Sequence, residues 1–260
     1  MKGNHITIND FDLFADLVKA STKMLDSAKF QISTAGFEIY GARGNSGRCE
    51  ISSNSICGDS EFSFCIEKMQ MLYRIIQTVR EVHRGDYSGV ELEYCQGSLN
   101  FKSKKFRNKF RTCSPDIIER WVSKKIETKM DTVFRFTTSS DLIKRLNGHA
   151  FIFSDSKQAR VYVETKPDME NNSVFATLGD RSSSLNNELT LKLGLVTFGQ
   201  IPDNRNIILD LERFNLLNVV ESENIDVHLM NYNVIVCKNR VQGKNDTFFD
   251  MNIYISMIKE

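Results

Sequence analysis

The chain has 260 residues, 41% apolar and 26% charged, with a formal net charge of +1. These values exclude a disordered or fibrous chain and leave enough material for a core, in one or two domains. Near-neutrality excludes bulk attraction to nucleic acid or membrane, so any DNA contact must come from a local arrangement of Lys and Arg.

The first residues, Met1-Lys2-Gly3-Asn4-His5, have no apolar run behind them, which argues against a signal peptide. No apolar stretch approaches the roughly 20 residues that span a bilayer. The expectation is a soluble protein of the cytoplasm, or of the nucleus in a eukaryotic host, with no membrane partner.

A strand is predicted over 5–8, after which Asn9 or Asp10 caps a helix to about residue 27. Its apolar positions Phe11, Phe14, Val18 and Leu25 fall at helical spacing, with Leu17 beside them. Strands follow over 29–34, 36–41, 46–52 and 61–66, with a glycine-rich turn at 41–47. A second helix spans 67–83, with Met69, Leu72, Ile76 and Val79 on one side. Strands at 89–95, 98–103 and 105–112 complete the half, and Gln96-Gly97 supplies a hairpin turn. The order is β-α-β-β-β-β-α-β-β-β.

Residues 114–131 break this pattern. They open with Ser114-Pro115, balance four basic against four acidic residues, and read as a connector between domains 1–113 and 132–260. The order of elements then returns. A strand over 132–137 precedes a helix capped by Ser139 or Ser140 and closed by Gly148. Strands follow at 150–154, 159–165, 174–180, 188–193 and 205–209. Asp210 caps a last helix to about residue 220, and strands at 224–230, 233–238 and 247–258 close the set. The helix pairs are offset by about 130 to 145 residues, a domain-scale duplication and not a solenoid period. The repeat lies in the order of elements, with little residue identity. The fold class is therefore α+β, two tandem copies of one unit.

The six cysteines, Cys49, Cys57, Cys65, Cys95, Cys113 and Cys237, form no C-x-x-C pair, and the four histidines are scattered. They read as small hydrophobes on strands, with no metal site. There is no G-x-S-x-G, no G-x-x-x-x-G-K-[ST] and no H-E-x-x-H. The glycines of 41–47 join two strands and do not open a helix, so they should not cradle phosphates. The expectation is a non-enzyme without cofactors; the catalytic alternative is an enzyme with widely separated site residues.

This twice-read order resembles the DNA polymerase sliding clamp family of eukaryotic, archaeal and phage clamps. Local texture supports it, such as Phe175-Ala176-Thr177-Leu178-Gly179-Asp180, Ile207-Ile208-Leu209-Asp210-Leu211 and Tyr254-Ile255-Ser256. The resemblance covers essentially the whole chain and looks closest to phage or viral members. It implies a homotrimeric ring of six domains encircling double-stranded DNA without sequence readout. The implied partners are a DNA polymerase and an ATP-dependent clamp loader. Family helices line the ring's inner wall, which makes Lys19, Lys23, Arg74, Arg80, Arg84, Lys144, Arg145 and Arg213 the candidate DNA contacts. Asp12 and Asp16 weaken that reading on the first helix. The first domain carries 16 basic and 13 acidic residues, or +3, and the second 14 and 16, or −2, so the grip should be stronger in the first.

In the stretch 105–112, alternation puts Lys105, Arg107, Lys109 and Arg111 on one face, and Phe106 and Phe110 on the other. It reads as a charge-protected edge strand, as a nucleic-acid strip, or, by the resemblance, as the edge that pairs with Val174, Ala176 and Leu178 of a neighbouring subunit. Trp121, Ile117 and Ile118 of the connector read as core or, by the resemblance, as a partner-peptide pocket completed by Tyr254 and Ile255. Two alternatives reuse the same fold: an open-ring, monomeric or dimeric viral processivity factor, and a viral late transcription factor.

Overall fold

The computed structural model describes residues 3–44, 46–113, 130–150, 160–165, 172–179, 181, 188–202 and 205–258. The chain divides into two compact units. The first comprises Met1–Gly44, Arg48–Glu127 and Arg240–Met251, and the second Asn45–Gly47, Thr128–Asn239 and Asn252–Glu260.

In the first unit the order is β1 (Asn4–Ile8), α1 (Phe11–Thr22), β2 (Ala28–Ser33), β3 (Gly36–Arg43), β4 (Gly47–Ser53), β5 (Ile56–Gly58), β6 (Phe62–Ile66), α2 (Met69–His83), β7 (Glu91–Cys95), β8 (Ser98–Lys102) and β9 (Arg107–Arg111). The strands pair antiparallel in two rows, β5-β1-β7-β8-β9 and β4-β3-β2-β6. Strand β5 is absent from the sequence expectation. Three residues after Asn54-Ser55 are too few to show an alternating pattern.

Helix α1 buries Phe14, Leu17 and Val18, and α2 buries Leu72, Ile76 and Val79. Rings carry the contact between the two rows of strands: Phe62 and Phe64 of β6 stack on Tyr94 of β7 at 5.3 and 4.9 Å, while Phe30 stacks on Phe64 within its own row at 5.2 Å. Helix α2 ends where Arg84 and Gly85 take positive φ, 50° and 94°. Such a left-handed pair stops a helix, and glycine adopts it without strain.

Asp10 caps α1 as expected, accepting from Leu13 N at 3.0 Å. It also accepts from Lys244 N and from Thr247 Oγ1, both at 2.9 Å, so one carboxylate anchors the 240–251 segment to the start of α1. Burial pushes this carboxyl up, but the bonds from Leu13, Lys244 and Thr247 outweigh it, and its pKa lies below the ordinary 3.8. Asp10 therefore stabilises the fold above pH about 4, and that contribution fades as pH falls through the lowered native value. Asp10→Ala should cost about 1–2 kcal/mol in urea unfolding at neutral pH. Asp10→Asn should flatten the acid side of the stability–pH curve.

The second unit repeats the order with β10 (Thr132–Thr138), α3 (Ser140–His149), β11 (Arg160–Thr165), β12 (Ser173–Gly179), β13 (Glu188–Gly199), β14 (Ile207–Leu209), α4 (Leu211–Asn215) and β15 (Ile225–Met230). A final hairpin, β16 (Val234–Gln242) and β17 (Phe248–Ser256), gives its Arg240–Met251 portion to the first unit. The row is β14-β11-β12-β13-β10-β15-β16. Ser139 caps α3 through Leu142 N, and Asp210 caps α4 through Arg213 N at 2.7 Å. Helix α4 is shorter than expected, giving way to a 3-10 turn at Leu216–Asn218. The predicted strand over 150–154 lies mostly outside the described residues. No described helix is long and apolar enough to cross a membrane.

Strand β13 does the work of two strands in the first unit. Its start pairs with β12, as β4 pairs with β3; its end pairs with β10, as β5 pairs with β1. His228 on β15 is 7% exposed and meets Thr132 Oγ1 at 3.1 Å through Nδ1. Burial, reinforced by Lys238 and Arg135, pushes its pKa down to about 4. The unfolded chain, with its ordinary histidine, takes up this proton first. Stability should therefore decline as pH falls from about 6.5 towards 4, and His228→Gln should remove that part of the slope in urea titrations.

Candidate nucleic-acid interface

Helices α1 and α2 pack together, and their contact is electrostatic at the rim. Arg80 Nη1 lies 3.2 Å from Asp16, and Nη2 lies 3.3 Å from Asp12. Asp12 also accepts from Tyr87 Oη at 3.0 Å and pairs with Lys244 Nζ at 3.6 Å, while Tyr87 stacks on Phe11 at 4.4 Å. Burial alone would lower the Arg80 pKa; Asp16 and Asp12 outweigh it and raise it. Arg80, predicted to contact DNA, is thus the joint between two helices and only partly available. Arg80→Ala should cost about 1 kcal/mol, read as a lower urea midpoint, with little change in salt-dependent DNA binding.

Lys19, Lys23, Arg74 and Arg84 are exposed, with no ion-pair partner among the described residues. Since α1 and α2 bury their apolar stripes, these four cations share the outward polar side of the helix pair with Asp16 and Glu81. In the second unit Arg145 is exposed, but Lys144 pairs with Glu221 at 3.4 Å. Arg213 is ion-paired with Asp210, and its Nε donates to Ser256 Oγ at 3.4 Å. The second unit therefore offers fewer uncommitted cations than its sequence suggests. Lys244 escaped the sequence reading, because its place near α1 depends on a segment 234 residues away from Asp10.

The basic stretch forms strand β9, beginning at Arg107, two residues later than expected. Lys105 and Phe106 belong to the turn from β8, closed by Ser103 N donating to Phe106 O at 2.7 Å. Arg107, Lys109 and Arg111 are exposed, while Phe110 turns inward at 7% exposure. Phe110, Met71 and Ile75 line a cleft of about 630 Å³ between β9 and α2. Strand β9 ends its row and, among the described residues, pairs only with β8, which leaves its other edge open.

Its expected counterpart is corrected. Val174, Ala176 and Leu178 lie on β12, which is buried throughout and hydrogen-bonded on both sides, to β11 and β13. A strand with both ladders filled has no backbone groups left for a neighbour. The edge is instead the start of β13, over 188–193, which pairs with β12 on one side and with no described strand on the other. Isolated alternation could not distinguish these two adjacent strands. Of the pocket candidates, Ile117, Ile118 and Trp121 lie outside the described residues. Ile255 is corrected too. It is fully buried, because alternation along β17 turns it into the core while Tyr254 faces the other way, half-buried.

Duplicated units, each with two helices against antiparallel strands, define the DNA sliding clamp fold. Solved clamps share it along their whole length. The chain matches the archaeal clamp in the structure of the C-terminal region of FEN-1 bound to A. fulgidus PCNA with a TM-score of 0.69, 10% identity and 99% coverage of both chains. Proliferating Cellular Nuclear Antigen from Entamoeba histolytica gives 0.65, 12% identity and 100% of both chains. PCNA from Thermococcus kodakaraensis gives 0.64 and 11%, over 98% of this chain and 100% of the other. No protein-family model matches the sequence, and no curated protein matches it.

Proposed function

We propose that this protein is a DNA sliding clamp, closing as a homotrimer around duplex DNA and holding a polymerase on its template. The observation that carries this reading is a pair of complementary open edges. Within the first unit the edge of β4 is already covered: Ser53 Oγ and Asn54 N both donate to Phe248 O, at 2.7 and 3.3 Å. Phe248 opens β17, the last strand of the second repeat. In the repeat, β9 corresponds to β17 and the start of β13 to β4. The chain thus covers one such edge itself and leaves its equivalents, β9 and 188–193, open. Pairing them head to tail between copies repeats one contact around a closed ring. The likeness to the clamps supports three copies, or six domains.

DNA would be held by phosphate contacts from Lys19, Lys23, Arg74 and Arg84, which permit sliding because they read no bases. The ring needs an ATP-dependent loader to open it, and the chain itself performs no catalysis. The A. fulgidus neighbour carries the C-terminal region of FEN-1, which supports a docking site here for short partner segments, with Trp121, Ile117, Ile118 and Tyr254 as candidates. Mass in solution, with retention on nicked circular DNA before and after linearisation, tests the proposal. A trimer that loaders place on circles and that linearisation releases is expected. A monomer that holds linear and circular DNA alike would instead favour the open-ring processivity factor.

A further inference from the structure

The two rows of strands in the first unit meet at one corner, through two cysteines. Cys65 lies on β6, which ends one row; Cys113 follows β9, which ends the other. They face each other in an isolated antiparallel bridge, and Cys113 N donates to Cys65 O at 2.9 Å. Cys65 is fully buried against Tyr40, and Cys113 and Ala42 pack on that cluster half-buried.

We propose that Cys65 and Cys113 are a disulfide-forming pair that covalently closes this corner under oxidising conditions. Directly opposed residues in an antiparallel pair project to the same side with Cα atoms about 4.5–5.5 Å apart. Disulfides accept about 4.4–6.8 Å between Cα atoms. Cys65 is held in the β2–β6 ladder opposite Lys29, but Cys113 lies beyond the end of β9, so the approach that bonding requires falls on the Cys113 side. Among the cysteine pairs, this is the one that the strand register sets face to face.

A small-molecule disulfide such as oxidised glutathione accepts the two electrons. The Cys113 thiolate attacks it, forming a mixed disulfide and releasing one thiolate, which takes up the proton. Cys65 then loses its proton, attacks the Cys113 sulfur and expels the second thiolate. Burial, with Glu67 nearby, holds the Cys113 thiol above its ordinary pKa, so the first step should quicken as pH rises. The closed loop contains α2 and β7 to β9, including the edge assigned to ring closure, and the cross-link constrains the unfolded chain.

The full-length protein is incubated with oxidised glutathione, alkylated and mapped by mass spectrometry without reduction. The expected product is a Cys65–Cys113 peptide pair, lighter by two hydrogen atoms, reversed by dithiothreitol, with the melting midpoint raised by several degrees. Glutathione held on Cys113 without a cross-link would overturn the proposal, as would a cross-link through Cys57 or Cys95 or unchanged thiols. Cys113→Ser should abolish the midpoint shift, and the wild-type map decides the matter even if that variant folds poorly.

Discussion

Proline in β9 should break the proposed ring without unfolding the chain, at one position out of two. Consecutive residues of a strand direct their backbone N–H groups to opposite sides. Of Asn108 and Lys109, one therefore donates towards β8 and the other towards the open edge. Proline at the first removes a ladder bond inside the unit, leaves its acceptor unpaired and should cost about 1–3 kcal/mol of stability. Proline at the second leaves the fold intact and removes a donor offered to the neighbouring copy. A loss of about 1–3 kcal/mol there weakens the proposed contact between copies by about five- to a hundredfold. Sedimentation over a concentration series, alongside urea unfolding, separates the two. Paired substitutions Thr190→Pro and Leu191→Pro apply the same logic to the edge at 188–193. If all four variants associate like the wild type, the edges do not join the copies.

The double variant Arg74→Ala, Arg84→Ala should reduce residence on nicked circular DNA about tenfold or more while leaving the association of copies unchanged. Every cation withdrawn from a phosphate should flatten the log–log salt dependence by about 0.9. Adding Lys19→Ala and Lys23→Ala should deepen the effect. Lys144→Ala should matter less, since that cation is shared with Glu221. Arg80→Ala provides the contrast, because its guanidinium holds Asp12 and Asp16 together and its removal should lower stability more than the salt slope. An unchanged slope in the double variant would place the DNA-binding surface elsewhere.

The helix caps were legible in the sequence because capping is local. Asp10, Ser139 and Asp210 each reach a backbone N–H three residues on. The apolar stripes of α1 and α2 were legible for the same reason: Leu17 and Val18, or Leu72, Ile76 and Val79, declare a buried face by spacing alone. The duplicated order of elements followed from such signals, and with it the clamp resemblance.

The candidate site was only half legible. The cations that belong to it could be named, but which of them are free could not. Arg80 is committed to carboxylates 64 and 68 residues away, and no pattern on α2 reports that. The open edge was likewise misplaced by one strand. Strands β12 and β13 both look half-apolar in sequence, and their order in the row depends on which partners fill each ladder. Composition and periodicity thus determined the α+β class, the repeat and the faces turned inward, because these arise from interactions within a turn or a strand. The free cations, the open edges and the Cys65–Cys113 corner were decided by the tertiary structure alone, because each depends on residues brought together from distant parts of the chain.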